Sequence, residues 1–349
     1  MNDLSPKERL LRVLARKPVD RPPVVCPGGM MNAAVVEVMD TTGHMLPKAH
    51  HDKQLMGELS QDVQRLTGFE NFGIPFCMTV EAEVLGSSIN FGTRTCEPKI
   101  EKEVHASVSE VERRNIGKLL QEGRIGTIVE AGRQMVRFHS DIPLIGSLTG
   151  PISTLASVVD PMQFFRELRR DRDKVHQALA YVSEFLTAYA RVLVENGASV
   201  ITIADPTATG EILGPRFFGE YAVPYLNQVI AGIHDAGAPV IVHICGKLNA
   251  VTEYLPKIAS DAISTDAFVN LRSLKQAYPE LVTMGNLSTF LLESGTEEKI
   301  AWQTERLARD GIDILSPACG LSTASPLKNI RAMTDTAKER KHAERLFSI

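Results

Sequence analysis

One pattern limits the folds open to this chain more than any other. From residue 143 onward, short apolar runs alternate with stretches of helical spacing. The runs are 143–151 (PLIGSLTGP), 198–206 (ASVITIADP), 238–246 (APVIVHICG), 261–266 (DAISTD), 281–288 (LVTMGNLS) and 312–320 (IDILSPACG). Several are near-continuous in apolar and β-branched residues, as strands buried on both faces are. Between them lie helical stretches at 177–197, 216–237, 248–259, 271–279 and 297–311, and a last one at 326–346. Gly197 and Gly237 supply stop signals, and Pro224 is carried inside the second stretch. Strand–helix alternation of this kind means βα units and a parallel sheet.

Two earlier runs, 21–29 (RPPVVCPGG) and 73–76 (GIPF), bring the strand count to eight. The expected architecture is therefore an α/β chain folded as a (β/α)8 TIM-type barrel. Barrels reach 349 residues with insertions. Residues 87–101 alternate and carry turn formers, so they read as a small β insertion. No Pro/Gly/Ser linker divides the chain, so 1–349 reads as a single barrel domain. An open doubly wound sheet is the competing architecture, but no GxGxxG or GxxxxGK loop supports it. At the N-terminus, Ser5 and Glu8 fit a capping box with Pro6 at the first helical position.

In such barrels the active site lies at the C-terminal ends of the strands. Here those ends carry Asp205, His243 with Cys245, Asp266, Asn286 and Cys319. His243 and Cys245 are two apart, so one strand end offers an imidazole and a thiol on the same face. Cys319 follows three βα repeats later. One His and two Cys form a soft set that suits Zn2+ and leaves a fourth position open, the mark of a catalytic rather than a structural site. Asp266 is positioned to fill it at rest. The competing reading is plain: the three are core residues, and Asp205 and Asp266 cap helices. Asp205 and Asp266 are the candidate catalytic residues, and Asn286 is a candidate cofactor-binding residue.

Other reactive residues read as structural. Cys26, Cys77 and Cys96 are too scattered for a disulfide framework. Glu81 and Glu83 read as solvated helix residues and Cys77 as a packing residue. His50 and His51 read as a surface pair. His105, His139, His176, His234 and His342 have no partner in sequence. A net charge of −4 gives no basic field for nucleic acid or anionic membrane. The first residues lack the apolar core of a secretion signal, and no apolar run approaches a bilayer span, so the expected compartment is the cytoplasm.

HICG at 243–246 followed by PACGL at 317–321 resembles the zinc signature of the methylcobamide:coenzyme M methyltransferases, within the uroporphyrinogen decarboxylase superfamily. KERLLRVLARKPVDRPPV, IPFCMTVEAEVLGSSINFGT, GRIGTIVEA, GSLTGPIS, IADPTAT and GNLS follow in family order. The resemblance implies a barrel with zinc on His243, Cys245 and Cys319. It implies methyl transfer from a methylcobamide, presented by a separate corrinoid-binding protein, to a thiol such as coenzyme M. The reverse direction, from a small methyl donor to the corrinoid protein, uses the same signature. Decarboxylases of the parent family carry an Arg-rich block after the first strand. Here that block is VVCPGGMMNAAVVEVMD, without Arg.

Overall fold

The computed structural model describes residues 3–339. Nine strands form: β1 (Phe72–Ile74), β2 (Ser88–Asn90), β3 (Lys99–Lys102), β4 (Leu144–Thr149), β5 (Val200–Ala204), β6 (Val240–Ile244), β7 (Ala262–Thr265), β8 (Thr283–Leu287) and β9 (Ile314–Pro317). Seven of them make one parallel sheet in the order β1-β4-β5-β6-β7-β8-β9. Sequential order with parallel pairing at every step is the wrap of an α/β barrel. Strands β2 and β3 pair antiparallel as the expected insertion.

The eighth place is filled without a regular strand. Residues 23–26 lie between β9 and the approach to β1. Val25 N donates to Leu315 O at 3.0 Å, and Leu315 N donates to Pro23 O at 2.9 Å. On the other side Glu70 N donates to Val24 O at 2.9 Å. Proline lacks an N–H, and Pro22, Pro23 and Pro27 interrupt this segment. The Asn71 side chain substitutes for the missing ladder. It accepts from Cys26 N and donates to Cys26 O, both at 2.8 Å. The seam is tight at Gly73, where a Cβ would sit 2.2 Å from Pro27 O.

The sheet is buried along its whole length: β4, β5, β6, β7, β8 and β9 have no exposed residue. Helices cover it, the longest being Arg172–Glu195. Ser5 caps the first helix, Pro6–Leu14, by accepting from Glu8 N at 3.2 Å. Arg9 fastens that helix to the barrel with bonds to Asp20 at 2.7 Å and Glu70 at 2.8 Å. Two expected helices differ. The 216–237 stretch breaks into Gly214–Phe217, a π turn at Phe218–Ala222, and Val223–Asp235 with Pro224 in its first turn. The π turn lengthens the hydrogen-bond frame just ahead of the proline: Val223 N donates to Phe218 O, and the prolyl nitrogen that follows has no N–H to place. The 248–259 stretch is a 3-10 turn, Thr252–Lys257, containing Pro256. The closing helix is Leu327–Glu339, and the rest of the expected span, with His342, lies outside the described residues. No helix among the described residues is long and apolar enough to cross a membrane.

Candidate metal centre

Strand register decides which side chains face the barrel axis, because partners in a parallel ladder point to the same side. His243 pairs with Ala204 on β5 and with Ser264 on β7. Ser264 in turn pairs with Met284, and Asn286 with Ser316. His243, Ser264, Asn286 and Ser316 therefore share the inner face. Cys245 continues the parity of His243, and Asp266 that of Ser264. Asp205 follows Ala204 and takes the opposite parity, toward the helices.

Contacts agree with this parity. His243 Nε2 lies 3.1 Å from Cys245 Sγ, and Cys245 Sγ lies 3.4 Å from Cys319 Sγ. The donor atoms of all three residues fall within 4.8 Å of one another, and they are the metal-competent cluster among the described residues. A tetrahedral ion with metal–sulfur bonds of ~2.3 Å has sulfur–sulfur edges of roughly 3.8 Å, so a small outward shift of the donors admits one ion. The other ring nitrogen, His243 Nδ1, sits 2.9 Å from Ser264 Oγ, and neither residue has exposed surface. With Ser264 accepting from Nδ1–H, the Nε2 lone pair faces the sulfurs.

The hydrogen bond between the two thiols shifts them in opposite directions. The hydrogen bond from Cys245 draws Cys319 down, against the opposing effect of burial. That same bond raises Cys245, and burial raises it further. The shift at Cys319 is toward the thiolate, which is the ligand form a metal takes.

Asp266 stands beside this cluster without joining it. Its carboxylate accepts from Gly246 N at 3.4 Å and from Phe268 N at 3.3 Å. Asn286 is turned to the same loop: Nδ2 donates to Asp266 O and Val269 O, both at 2.8 Å. Both side chains hold the βα loop that flanks Cys245. Asp205 lies apart from the cluster, with the partners of a helix cap. It is 0% exposed, and accepts from Ser153 N at 2.8 Å, Ser153 Oγ at 2.6 Å and Ile152 N at 3.1 Å. It caps the short helix Pro151–Ala156. Burial pushes its carboxyl up to about 6, with those bonds opposing.

Two further expectations change. Glu81 is not solvated but 2% exposed, accepting from Thr149 N at 2.8 Å and Thr149 Oγ1 at 2.9 Å. His50 is not a surface residue but 1% exposed, whereas His51 is exposed and packs on Phe91. Cys77 is buried as expected, and its sulfur also meets Arg124 Nη1 at 3.3 Å.

Sequence reading missed three residues around the cluster. Ser264 is recoverable from register alone. Met30 Sδ lies 3.8 Å from Cys245 Sγ; no local pattern marks it. Glu97, on the insertion, reaches solvent yet is walled by protein. Burial first, and then the charge of Cys319, pushes its carboxyl up to about 7.

The uroporphyrinogen decarboxylase family profile matches residues 5–340. The methylcobamide:CoM methyltransferase MtbA of Methanosarcina acetivorans is 34% identical, over 98% of this chain and 100% of that protein. The methylcobamide:CoM methyltransferase MtaA of Methanosarcina barkeri is 30% identical, over 97% of this chain and 99% of that protein. Among solved structures, a methyltransferase from Methanosarcina mazei superposes with a TM-score of 0.90 at 29% identity, covering 97% of this chain and 99% of that one.

Proposed function

The chain belongs to the uroporphyrinogen decarboxylase family, and from that premise we propose that it is a zinc-dependent corrinoid methyltransferase. The methyl group passes from a methylcobamide, carried by a separate corrinoid-binding protein, to a small thiol such as coenzyme M. The observation that carries the proposal is the convergence of His243, Cys245 and Cys319 at one strand-end site. The relatives' names support the donor and the acceptor class.

The chain's own residues divide the work. His243, Cys245 and Cys319 would hold the ion, and three ligands leave a position for substrate sulfur. A zinc ion bound there supplies Lewis acidity that favours the thiolate over the thiol. Ser264 fixes the imidazole so that Nε2 faces inward. Asp266, through Gly246 N, and Asn286, through two carbonyls, hold the loop beside Cys245. They serve as positioning residues. Backbone mobility in this loop would blur a donor set whose edges are near 3 Å.

A decarboxylase role is disfavoured by residues 24–40, which contain no cation to meet substrate carboxylates. The site residues lie inside a barrel mouth, and we place the reaction in the cytoplasm, where thiols stay reduced.

The test is metal analysis combined with demethylation of methylcobalamin across a panel of small thiols. Purified protein is expected to hold stoichiometric zinc and to demethylate methylcobalamin with at least one thiol. Cys319→Ala is expected to lose both zinc and activity. Wild-type activity in that variant would remove the ligand assignment, and a zinc-free active enzyme would remove the mechanism.

A further inference from the structure

We propose that the Met30 thioether is the resting fourth ligand of this centre, displaced by substrate thiol. The inference rests on the three-ligand reading above and extends it to a residue outside the His/Cys set. Three observations carry it.

The first is distance and atom type. Met30 Sδ lies 3.8 Å from Cys245 Sγ. That matches the roughly 3.8 Å sulfur–sulfur edge of a tetrahedral site with bonds of ~2.3 Å. Thioethers are soft donors suited to a thiolate-rich set.

The second is preorganisation. Met30 sits in a turn closed at both ends: Gly28 N donates to Met31 O at 3.2 Å, and Met31 N to Gly28 O at 2.9 Å. Gly28 and Gly29 have φ of 100° and 57°, which glycine adopts freely. Gly29 N further donates to Pro75 O at 2.7 Å. The Met30 carbonyl packs on the residue after Cys319, for a Cβ on Gly320 would lie 2.5 Å from it. Met30 therefore touches the surroundings of both cysteines.

The third is the state of the competing ligand. The Asp266 carboxylate is held by Gly246 N and Phe268 N. Those bonds hold it to its own loop and to the residue after Cys245.

A neutral thioether also suits the exchange. A thiolate is a stronger donor to the metal than a neutral thioether is. The methylated product is itself a thioether, so Met30 competes with it on near-equal terms and has the advantage of being attached. Met30 then yields to substrate and helps to clear product.

The experiment counts sulfur around the metal by X-ray absorption on zinc-loaded protein, with cobalt(II)-loaded protein as the optical companion. Wild type is expected to show one nitrogen and three sulfurs. Met30→Leu, which keeps volume and removes sulfur, is expected to show two sulfurs, with a light atom making up the set. Titration with 2-mercaptoethanesulfonate should return Met30→Leu to three sulfurs and bind it at least about threefold more tightly than wild type, since no resident ligand must leave. Two sulfurs in wild type, or an unchanged count in Met30→Leu, would overturn the proposal while leaving the His243/Cys245/Cys319 set intact. Failure of wild type to take up zinc or cobalt would instead overturn the three-ligand reading on which it stands.

Discussion

Ser264→Ala separates support of the metal ligand from support of the fold. His243 Nδ1 and Ser264 Oγ are 2.9 Å apart on paired residues of β6 and β7, with no water access to either residue. Removing the hydroxyl leaves Nδ1–H without an acceptor in a dry site. Without metal, the imidazole has an escape: it can carry its proton on Nε2, which faces Cys245 Sγ at 3.1 Å. With metal bound, Nε2 must be bare, and the orphaned Nδ1–H must stay. The cost therefore falls on the metal-bound state. Loss of such an outer partner typically weakens metal affinity by about 10–100-fold, which is roughly 1.4–2.7 kcal/mol. Competition against a chelator of known zinc affinity, at fixed pH, measures it directly. The thermal stability of the metal-free protein is expected to change much less. Ser264→Thr, which keeps the hydroxyl, should recover most of the affinity. Zinc affinity within twofold of wild type in Ser264→Ala would refute the role given to Ser264 and the tautomer assigned to His243.

Asp205→Ala should destabilise the fold by about 1–3 kcal/mol, the range for losing a helix cap and leaving buried N–H donors unmet, with zinc content unchanged; denaturant unfolding and metal analysis check both, and lost activity in a stable, zinc-loaded variant would restore Asp205 to the reaction. His50 makes a pH prediction. Burial first, and then the Arg124 and His51 charges, hold its imidazole down to about 3 from an ordinary 6.5. The unfolded chain takes up a proton below 6.5 while the folded one refuses it until about 3. The His50 contribution is whole above 6.5 and is lost as pH falls toward 3. Between pH 6.5 and 5 the loss is on the order of 2 kcal/mol; His50→Leu should flatten that part of the stability profile, and an unchanged slope would remove His50 as its source.

Much of the fold was legible because a parallel barrel writes itself as buried runs at regular intervals. Each of the six runs from residue 143 onward contains an observed strand. What was not legible depended on partners far along the chain. The first barrel position has too many prolines for a ladder, and Asn71 supplies the hydrogen bonds from 45 residues away. Glu81 and His50 were misread because a charged or polar side chain in a helix or turn carries no local mark of burial. Thr149 and Arg124, which surround them, are distant in sequence. Met30 is 215 residues from Cys245, and methionine elsewhere in a core means only packing.

The distribution of polar strand ends has a simpler account than convergence alone. All five ends reach the barrel mouth, but only alternate positions face the axis. On β6 the inward parity runs through Ile241, His243 and Cys245, so one strand delivers two ligands. On β5 the same parity runs through Thr202 and Ala204, and Asp205 falls one residue out of phase. Its carboxylate goes to Ser153 and Ile152 in the helix layer, and its burial there raises its pKa. Asp266 and Asn286 have the inward parity, yet both are occupied by backbone groups of the loop between them. In-phase polar residues past a strand end thus have two competing claims, the cavity and the turn. The sulfurs of Cys245 and Cys319 accept from the backbone N–H groups of Gly246 and Gly320, the residues that follow them, and still face each other. Cys245 remains free to meet Cys319, whose strand ends at Pro317 and whose position is set by the turn that follows. Histidine and cysteine at these positions are therefore the side chains that come together, while the carboxylates beside them are taken up by backbone groups.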